Sequence, residues 1–391
     1  MKTVSRIFRE NAQTSIIILA LIVIWLMFTI LSATMKDVNF LSPQNISNIF
    51  RQMTITAIMA TGMVFVIVTG NIDLSVGRLA GFASTAVAFN QAYRFTDSPA
   101  VAAIVSIGIG LAVGLLWGVF QGYIISYLRV PAFIVTLGSM FILGGLTLLQ
   151  TEGQTITATQ PYFREIGQGY LDPLLGWLLA GVVTIALFFL MFRGRRNKQK
   201  YGFPLPALAW DVAKTSFFAL LLVVYVAIVN SYEVAPGIPL PVLLLGIVAV
   251  VMTYVSNNTR FGRYAYAIGG NREAARLSGI DIRKTLWLIF ILMGFLSGLA
   301  GIVLASYVGY GTIGAGGGYE LDVIASAILG GTSTLGGVGT IPGAMIGGLI
   351  MASLSTGLQM VNAPPATTYV AKGVVLVLAV LLDVYFKKGK T

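Results

Sequence analysis

The chain has 391 residues, 57% of them hydrophobic and 10% charged, with a formal net charge of +11 and a mean hydropathy of +0.86. Soluble domains carry about 25% charged residues, so a water-soluble globular fold is excluded. The sequence has no cysteine and no histidine, which excludes disulfides, thiolate chemistry, histidine-ligated metals and histidine proton relays, and it has no basic stripe with interleaved aromatics to meet nucleic acid.

In chain order, Lys2, Arg6 and Arg9 precede an apolar run at 15–34. It is longer than a signal-peptide core and lacks a small-x-small cleavage site, so it is expected to stay as a first span. Further runs lie at 52–70, 78–93, 100–128, 131–150, 173–192, 216–232, 239–257, 285–307, 321–337, 339–361 and 367–385. A helix needs about 20 apolar residues to cross a bilayer, and these runs are continuous, whereas barrel strands alternate. The tenth and eleventh are broken by glycine. The expected fold class is therefore all-α, one polytopic membrane domain over 1–391 with about twelve transmembrane helices. Positive charge gathers in four places: the N-tail, a basic loop at 193–214, a second loop at 258–284, and the tail with Lys387, Lys388 and Lys390. All four fall on one side if both termini are cytoplasmic, while the linkers 151–172 and 233–238 carry little positive charge.

Three carboxylates stand at the edges of apolar runs: Asp73 in "NIDLSVG", and Glu320 and Asp322 in "YELDVIAS". A carboxylate in hydrocarbon costs several kcal/mol unless paired or wet. These groups are either helix caps at chain breaks within the membrane or coupling sites for an ion, and capping is the favoured reading. The likeness of the two motifs, entering from opposite faces, suggests an inverted repeat of about four spans. Small residues from Gly330 to Gly348 suit close helix packing, and Pro342 suits a first helical turn. Polar or aromatic groups within spans are candidates to line a solute path: Asn90, Gln91, Gln121, Phe133, Thr136, Ser139 and Phe141. Each polar one serves equally well as a bond to a neighbouring helix.

No phosphate-binding loop occurs; "GGTSTLGGVGT" lacks the lysine. An ATP-driven transporter built on this chain needs its ATPase, with ATP and magnesium, on another polypeptide. The stretch "RYAYAIGGNREAARLSGIDIRK" offers such a partner a handle. Asn271 is placed to cap a short helix, Glu273 and Arg276 complement its dipole, and Gly279 suits the left-handed residue that ends it. Ala274 and Ala275 leave room for a partner backbone, and Gly269 and Gly270 permit a sharp turn out of the preceding span.

"YAIGGNREAARLSGI" resembles the coupling segment of bacterial ATP-binding-cassette importer permeases of the ribose/xylose type, and "EAARLSG" the EAA---G signature of importer permeases. "GMVFVIVTGNIDLSVG" and "YELDVIASAILGGTSTLGGVGTIPGAMIGGLI" resemble the same family, over roughly 45–150 and 240–385. The extra pair of spans at about 170–235 is similar to the xylose-type branch. The resemblance implies a fold similar to that of the vitamin B12 importer-type permease, a homodimer in the bacterial inner membrane, a cytoplasmic double-cassette ATPase, and a periplasmic sugar-binding protein delivering a monosaccharide such as a pentose. The competing function is an ion-coupled secondary transporter using Asp73 or Asp322.

Overall fold

The computed structural model describes residues 12–34, 39–94 and 97–388; Lys2, Arg6, Arg9 and Lys390 lie outside them. The first helices are α1 (Ala12–Ala33), α2 (Pro43–Val68), α3 (Val76–Tyr93), α4 (Pro99–Ser126) and α5 (Ala132–Thr151). A short helix α6 (Pro161–Gln168) precedes a long hairpin, α7 (Pro173–Lys200) and α8 (Leu208–Asn230). Then come α9 (Leu240–Asn258), α10 (Arg260–Gly270), α11 (Arg272–Leu277) and α12 (Ile282–Val308). The chain closes with α13 (Tyr319–Leu329), α14 (Ile341–Met360) and α15 (Pro365–Lys388). Among the described residues, nine helices are long and apolar enough to cross a membrane.

Their burial sorts them. The apolar window of α2 is 89% buried and that of α12 72%, against 11% for α7 and 17% for α8. Helices α2 and α12 therefore form the axis of the bundle, and the α7–α8 hairpin stands at its edge. The most extensive helix–helix contact is between α4 and α12. Gly110, Gly114, Gly118 and Gly122 recur every fourth residue on one face of α4, and a Cβ on Gly114 would come within 2.9 Å of Gly298 Cα. Lipid offers no hydrophobic drive for helices to associate, so such packing relies on small residues that let backbones touch.

Two of the expected runs differ in form. The third, 78–93, is the 18-residue α3, rich in small and polar residues and two-thirds buried. The tenth, 321–337, is helical only as α13, whose 11 residues span about 16 Å, half of a bilayer core. Beyond Gly330 the chain folds back as a loop to Thr340, whose hydroxyl caps α14 by accepting from Gly343 N at 3.2 Å, with Pro342 in the first turn as expected. The basic loop 193–214 is also mostly helix: α7 runs on to Lys200 and α8 starts at Leu208. Arg195 on α7 pairs with Asp211 on α8.

The linkers collect at two opposite ends. At one, Ile156–Thr157 pairs antiparallel with Tyr310–Gly311, Gly167 N donates to Ser306 Oγ at 2.7 Å, and Leu171 N to Ile238 O at 2.8 Å. At the other, Gly337 N donates to Val68 O at 2.9 Å, and Tyr266 Oη on α10 to Gly339 O at 2.9 Å. This is the partition that lysine and arginine counts suggest: the segments poor in positive charge share one end, and the 258–284 segment lies at the other.

Candidate functional site

The 258–284 segment is two helices rather than one. Thr259 Oγ1 accepts from Gly262 N at 3.2 Å to start α10. At the far end of α10, Gly269 lies so close to the end of α2 that a Cβ there would overlap the Val68 carbonyl. Gly269 is required by this approach, which corrects its reading as a turn residue. Asn271 then caps α11, its Oδ1 accepting from Ala274 N at 2.9 Å, as the sequence suggests. Gly279 at φ +80 ends it in a Schellman motif: Ile280 N donates to Ala275 O at 3.1 Å and Gly279 N to Arg276 O at 3.0 Å. Asp281 Oδ1 accepts from Lys284 N at 3.0 Å to start α12. The short helix is thus fixed at both ends and leads directly into the central helix of the bundle.

One expectation about α11 needs correction. Ala275 is 4% exposed and packs inward, so only Ala274 remains for a partner backbone. Glu273 lies in the first turn and Arg276 in the last, as the sequence suggests, and they also bond each other at 2.6 Å, both about two-thirds exposed. Leu277 is 77% exposed beside them. Next to α11 a cleft of about 840 Å³ is lined by Asn71, Arg129, Arg272, Arg276, Asp281 and Arg283. Four guanidinium groups face one carboxylate there, which suits an acidic partner surface.

Asp73 is 1% exposed and joins two residues that the sequence does not connect. Its Oδ1 accepts from Ser75 N at 2.8 Å and lies 2.6 Å from Ser75 Oγ, and its Oδ2 accepts from Gln121 Nε2 on α4 at 2.7 Å. The N-cap of α3 is Ser75, so Asp73 holds the turn before the helix and ties it to α4 instead of capping it. Glu320 and Asp322 are not caps either: Gly318 is the N-cap of α13 and no side chain bonds there. The first turns of α3 and α13 meet, since a Cβ on Gly77 would lie 2.5 Å from Glu320 Oε2. Both helices start part-way along the bundle, the feature that makes their motifs look alike.

Of the other path candidates, Asn90 Nδ2 and Gln91 Nε2 donate to Ser106 Oγ at 2.7 and 2.8 Å, so they tie α3 to α4. Thr136 and Ser139 are buried, with Thr136 Oγ1 3.5 Å from Ile72 O. Phe133 and Phe141 are 57% and 70% exposed and face outward from α5. None of these seven residues lines the interior cavity at Lys372.

A different set does. Gln52 on α2, Tyr307 on α12, Tyr319 and Asp322 on α13, Gln359 on α14 and Lys372 on α15 line a cavity of about 220 Å³. Lys372 Nζ donates to Asp322 Oδ2 at 2.7 Å, with side-chain exposures of 16% and 8%. Asp322 Oδ1 and Glu320 Oε2 are buried with no hydrogen-bond partner. A few polar groups and flat aromatic rings converging on a concave space are what a small polyhydroxylated solute needs. Lys372 was the legible signal for this place: a lone cation inside the final apolar run needs a buried anion.

Comparison with known proteins adds the following. Residues 45–380 match the family model described as branched-chain amino acid transport system / permease component. The xylose transport system permease protein of Haemophilus influenzae is 39% identical over 378 residues, 97% of this chain and 98% of that one. Its counterpart in Escherichia coli K12 is 38% identical over 373 residues, 95% of this chain and 92% of that one. The ribose import permease protein of Escherichia coli K12 is 35% identical over 345 residues, 88% of this chain and 87% of that one. No solved structure matches.

Proposed function

Because the chain belongs to the branched-chain amino acid transport system / permease component family, we propose that it is the membrane-spanning subunit of an ATP-binding-cassette importer for a monosaccharide, a pentose such as xylose. Xylose is favoured because the xylose permeases are 38–39% identical over 95–97% of this chain, against 35% over 88% for the ribose permease of Escherichia coli K12. In this reading the protein sits in the bacterial inner membrane with twelve membrane-embedded helices, α13 crossing only half-way, both termini and α11 in the cytoplasm, and two copies side by side in a fold of the vitamin B12 importer type. A periplasmic binding protein delivers the sugar, and a double-cassette ATPase binds and hydrolyses ATP with magnesium.

The observation that carries the coupled-importer reading is the construction of α11. It is exposed, fixed at both ends, continuous with α12 through Asp281, and joined through α10 to the end of α2 and to the α13–α14 loop. Helices α2, α12, α13 and α14 also line the interior cavity. A push on α11 therefore reaches the walls of the solute space through rigid elements. Ion coupling is not favoured: Asp322 is neutralised by Lys372, and Asp73 is satisfied by Ser75 and Gln121.

The test is reconstitution of the permease in vesicles with its ATPase and binding protein. Labelled xylose should accumulate only when ATP is supplied and the binding protein is present. Accumulation by the permease alone under a proton or sodium gradient overturns the proposal.

A further inference from the structure

The α7–α8 hairpin carries a third cavity, which shares no lining residue with the interior cavity or with the cleft beside α11. It is a cleft of about 320 Å³ between the two helices. On one part of its wall are Leu187, Leu190, Met191 and Phe218; on the other are Arg195, Lys198, Asp211 and Lys214. Arg195 is committed, because it pairs with Asp211 and its Nη1 donates to the Pro206 carbonyl at 3.0 Å. Lys198 and Lys214 make no ion pair among the described residues. With the Arg195–Asp211 pair neutral as a unit, the cleft keeps two unmatched positive charges.

Its depth follows from helix length. Helix α7 has 28 residues, about 42 Å at 1.5 Å per residue, against a hydrocarbon core of about 30 Å. Counted from Pro173, about 20 residues bring the chain to the run of basic residues that begins at Arg193. The cleft, from Leu187 to Lys198 on one helix and from Asp211 to Phe218 on the other, therefore straddles the boundary between hydrocarbon and water. Tyr201, Phe203 and Trp210, exposed by 71, 62 and 53%, mark the same level, where aromatic side chains concentrate at membrane surfaces. The apolar wall lies on the hydrocarbon side and the lysines on the aqueous side.

We propose that this cleft is a binding site for an anionic phospholipid, with the phosphate between Lys198 and Lys214 and an acyl chain against Leu187, Leu190, Met191 and Phe218. Amphipathic walls in this order match a lipid and no soluble anion, and basic pockets between membrane helices at the cytoplasmic surface are suited to acidic headgroups. Helices α7 and α8 touch the bundle over little of their surface, so a lipid bridging their cytoplasmic halves would fix a hairpin otherwise held there by Arg195 and Asp211.

The experiment uses the full-length permease, stripped of lipid in mild detergent and titrated with phosphatidylglycerol or phosphatidylcholine, with bound lipid counted by native mass spectrometry. The parent should take up phosphatidylglycerol at a several-fold lower concentration than phosphatidylcholine. Lys198→Gln with Lys214→Gln should remove that preference, and Lys198→Arg with Lys214→Arg should keep it. If the double glutamine variant does not fold, Lys214→Gln alone should halve or further reduce the preference. Equal uptake of the two lipids by the parent, or a preference unchanged in the glutamine variants, overturns the proposal. Displacement of phosphatidylglycerol by inorganic phosphate also overturns it, because the site then recognises the anion without the chain.

Discussion

Replacing Lys372 by Met tests whether the ion pair with Asp322 organises the interior cavity. The variant keeps the volume of the side chain and removes its charge, leaving Asp322 with both oxygens unmatched, since Oδ1 already has no hydrogen-bond partner. The pair is well shielded, at 16% and 8% side-chain exposure, so little solvent screening applies. Removing one partner of a buried pair costs about 3–5 kcal/mol, or roughly a hundredfold to a few thousandfold in the folding equilibrium at about 1.4 kcal/mol per tenfold. Lys372→Met should therefore lose most of its thermal stability in detergent, and Lys372→Met combined with Asp322→Leu should regain it, because apolar replacement of a buried pair is often neutral or stabilising. Transport separates structure from solute contact: the double variant should remain poor in sugar uptake if the charges meet the solute. The reasoning is refuted if Lys372→Met melts like the parent, which means that water or another group serves Asp322.

The other predictions concern the turn before α3, the coupling segment and the membrane orientation. Asp73→Asn should be milder than Gln121→Leu, since Asn still accepts from Ser75 N, whereas Gln121→Leu leaves a buried carboxylate oxygen unbonded at about 1–3 kcal/mol; thermal midpoints of the two variants decide it, and a more damaging Asp73→Asn contradicts the account. Gly279→Val forces a β-branched residue into φ +80, costing about 1–2 kcal/mol, and should weaken coupled ATP hydrolysis more than membrane insertion. Ala274→Trp, on the exposed face, should lower recovery of the ATPase complex with no loss of thermal stability, while Ala275→Trp should destabilise the permease itself; equal behaviour of the two argues against docking on that face. Single cysteines at Lys198 and Arg276, introduced into a chain that has none, should resist an impermeant reagent in intact cells, and rapid labelling at either inverts the orientation.

What was legible in the sequence follows from the range of the interaction concerned. Helix existence depends on local apolar runs, so every expected span has a helix near it. The Asn271 cap and the Gly279 stop are also local, each set by residues a turn away, and both are present. What failed depended on partners far along the chain. Asp322 reads as a cap until Lys372, 50 residues on, is brought beside it. Gln121 reads as a path residue until Asp73, 48 residues before it, takes its amide. Whether Phe133 and Phe141 face a channel or the outside is a question of rotation about the α5 axis, which a uniformly apolar helix does not record. The 321–337 run has the length of a span but not its form, because hydropathy averages over the glycines that stop α13 at Gly330. The four-residue repeat from Gly110 to Gly122, which the sequence reading passed over, marks the α4 face that meets α12.

The distribution of buried polar groups gives the bundle a division of labour. Asp73, Ser75 and Gln121 fasten α3 to α4, and Asn90, Gln91 and Ser106 fasten the same two helices further along. Each of these links stays within α3, α4 and the turn before α3, and glycine-to-glycine contacts bind α4 to α12. The Asp322–Lys372 pair instead joins a half-length helix to a terminal helix whose apolar window is only 12% buried. Thr334 N and Oγ1 likewise donate to Asp383 Oδ2 on α15 at 3.1 and 3.0 Å, so polar links tie α13, the loop after it and α15 to one another, while α14 meets α2 through Thr356 and Gln52. The contact from Tyr266 on α10 to Gly339, in the loop between α13 and α14, reaches this second group. Under the proposed function, a displacement of α11 would have two outlets, α12 through Asp281 and the α13–α14 loop through Tyr266, and the cavity is lined by α12, α13 and α14 where these elements converge.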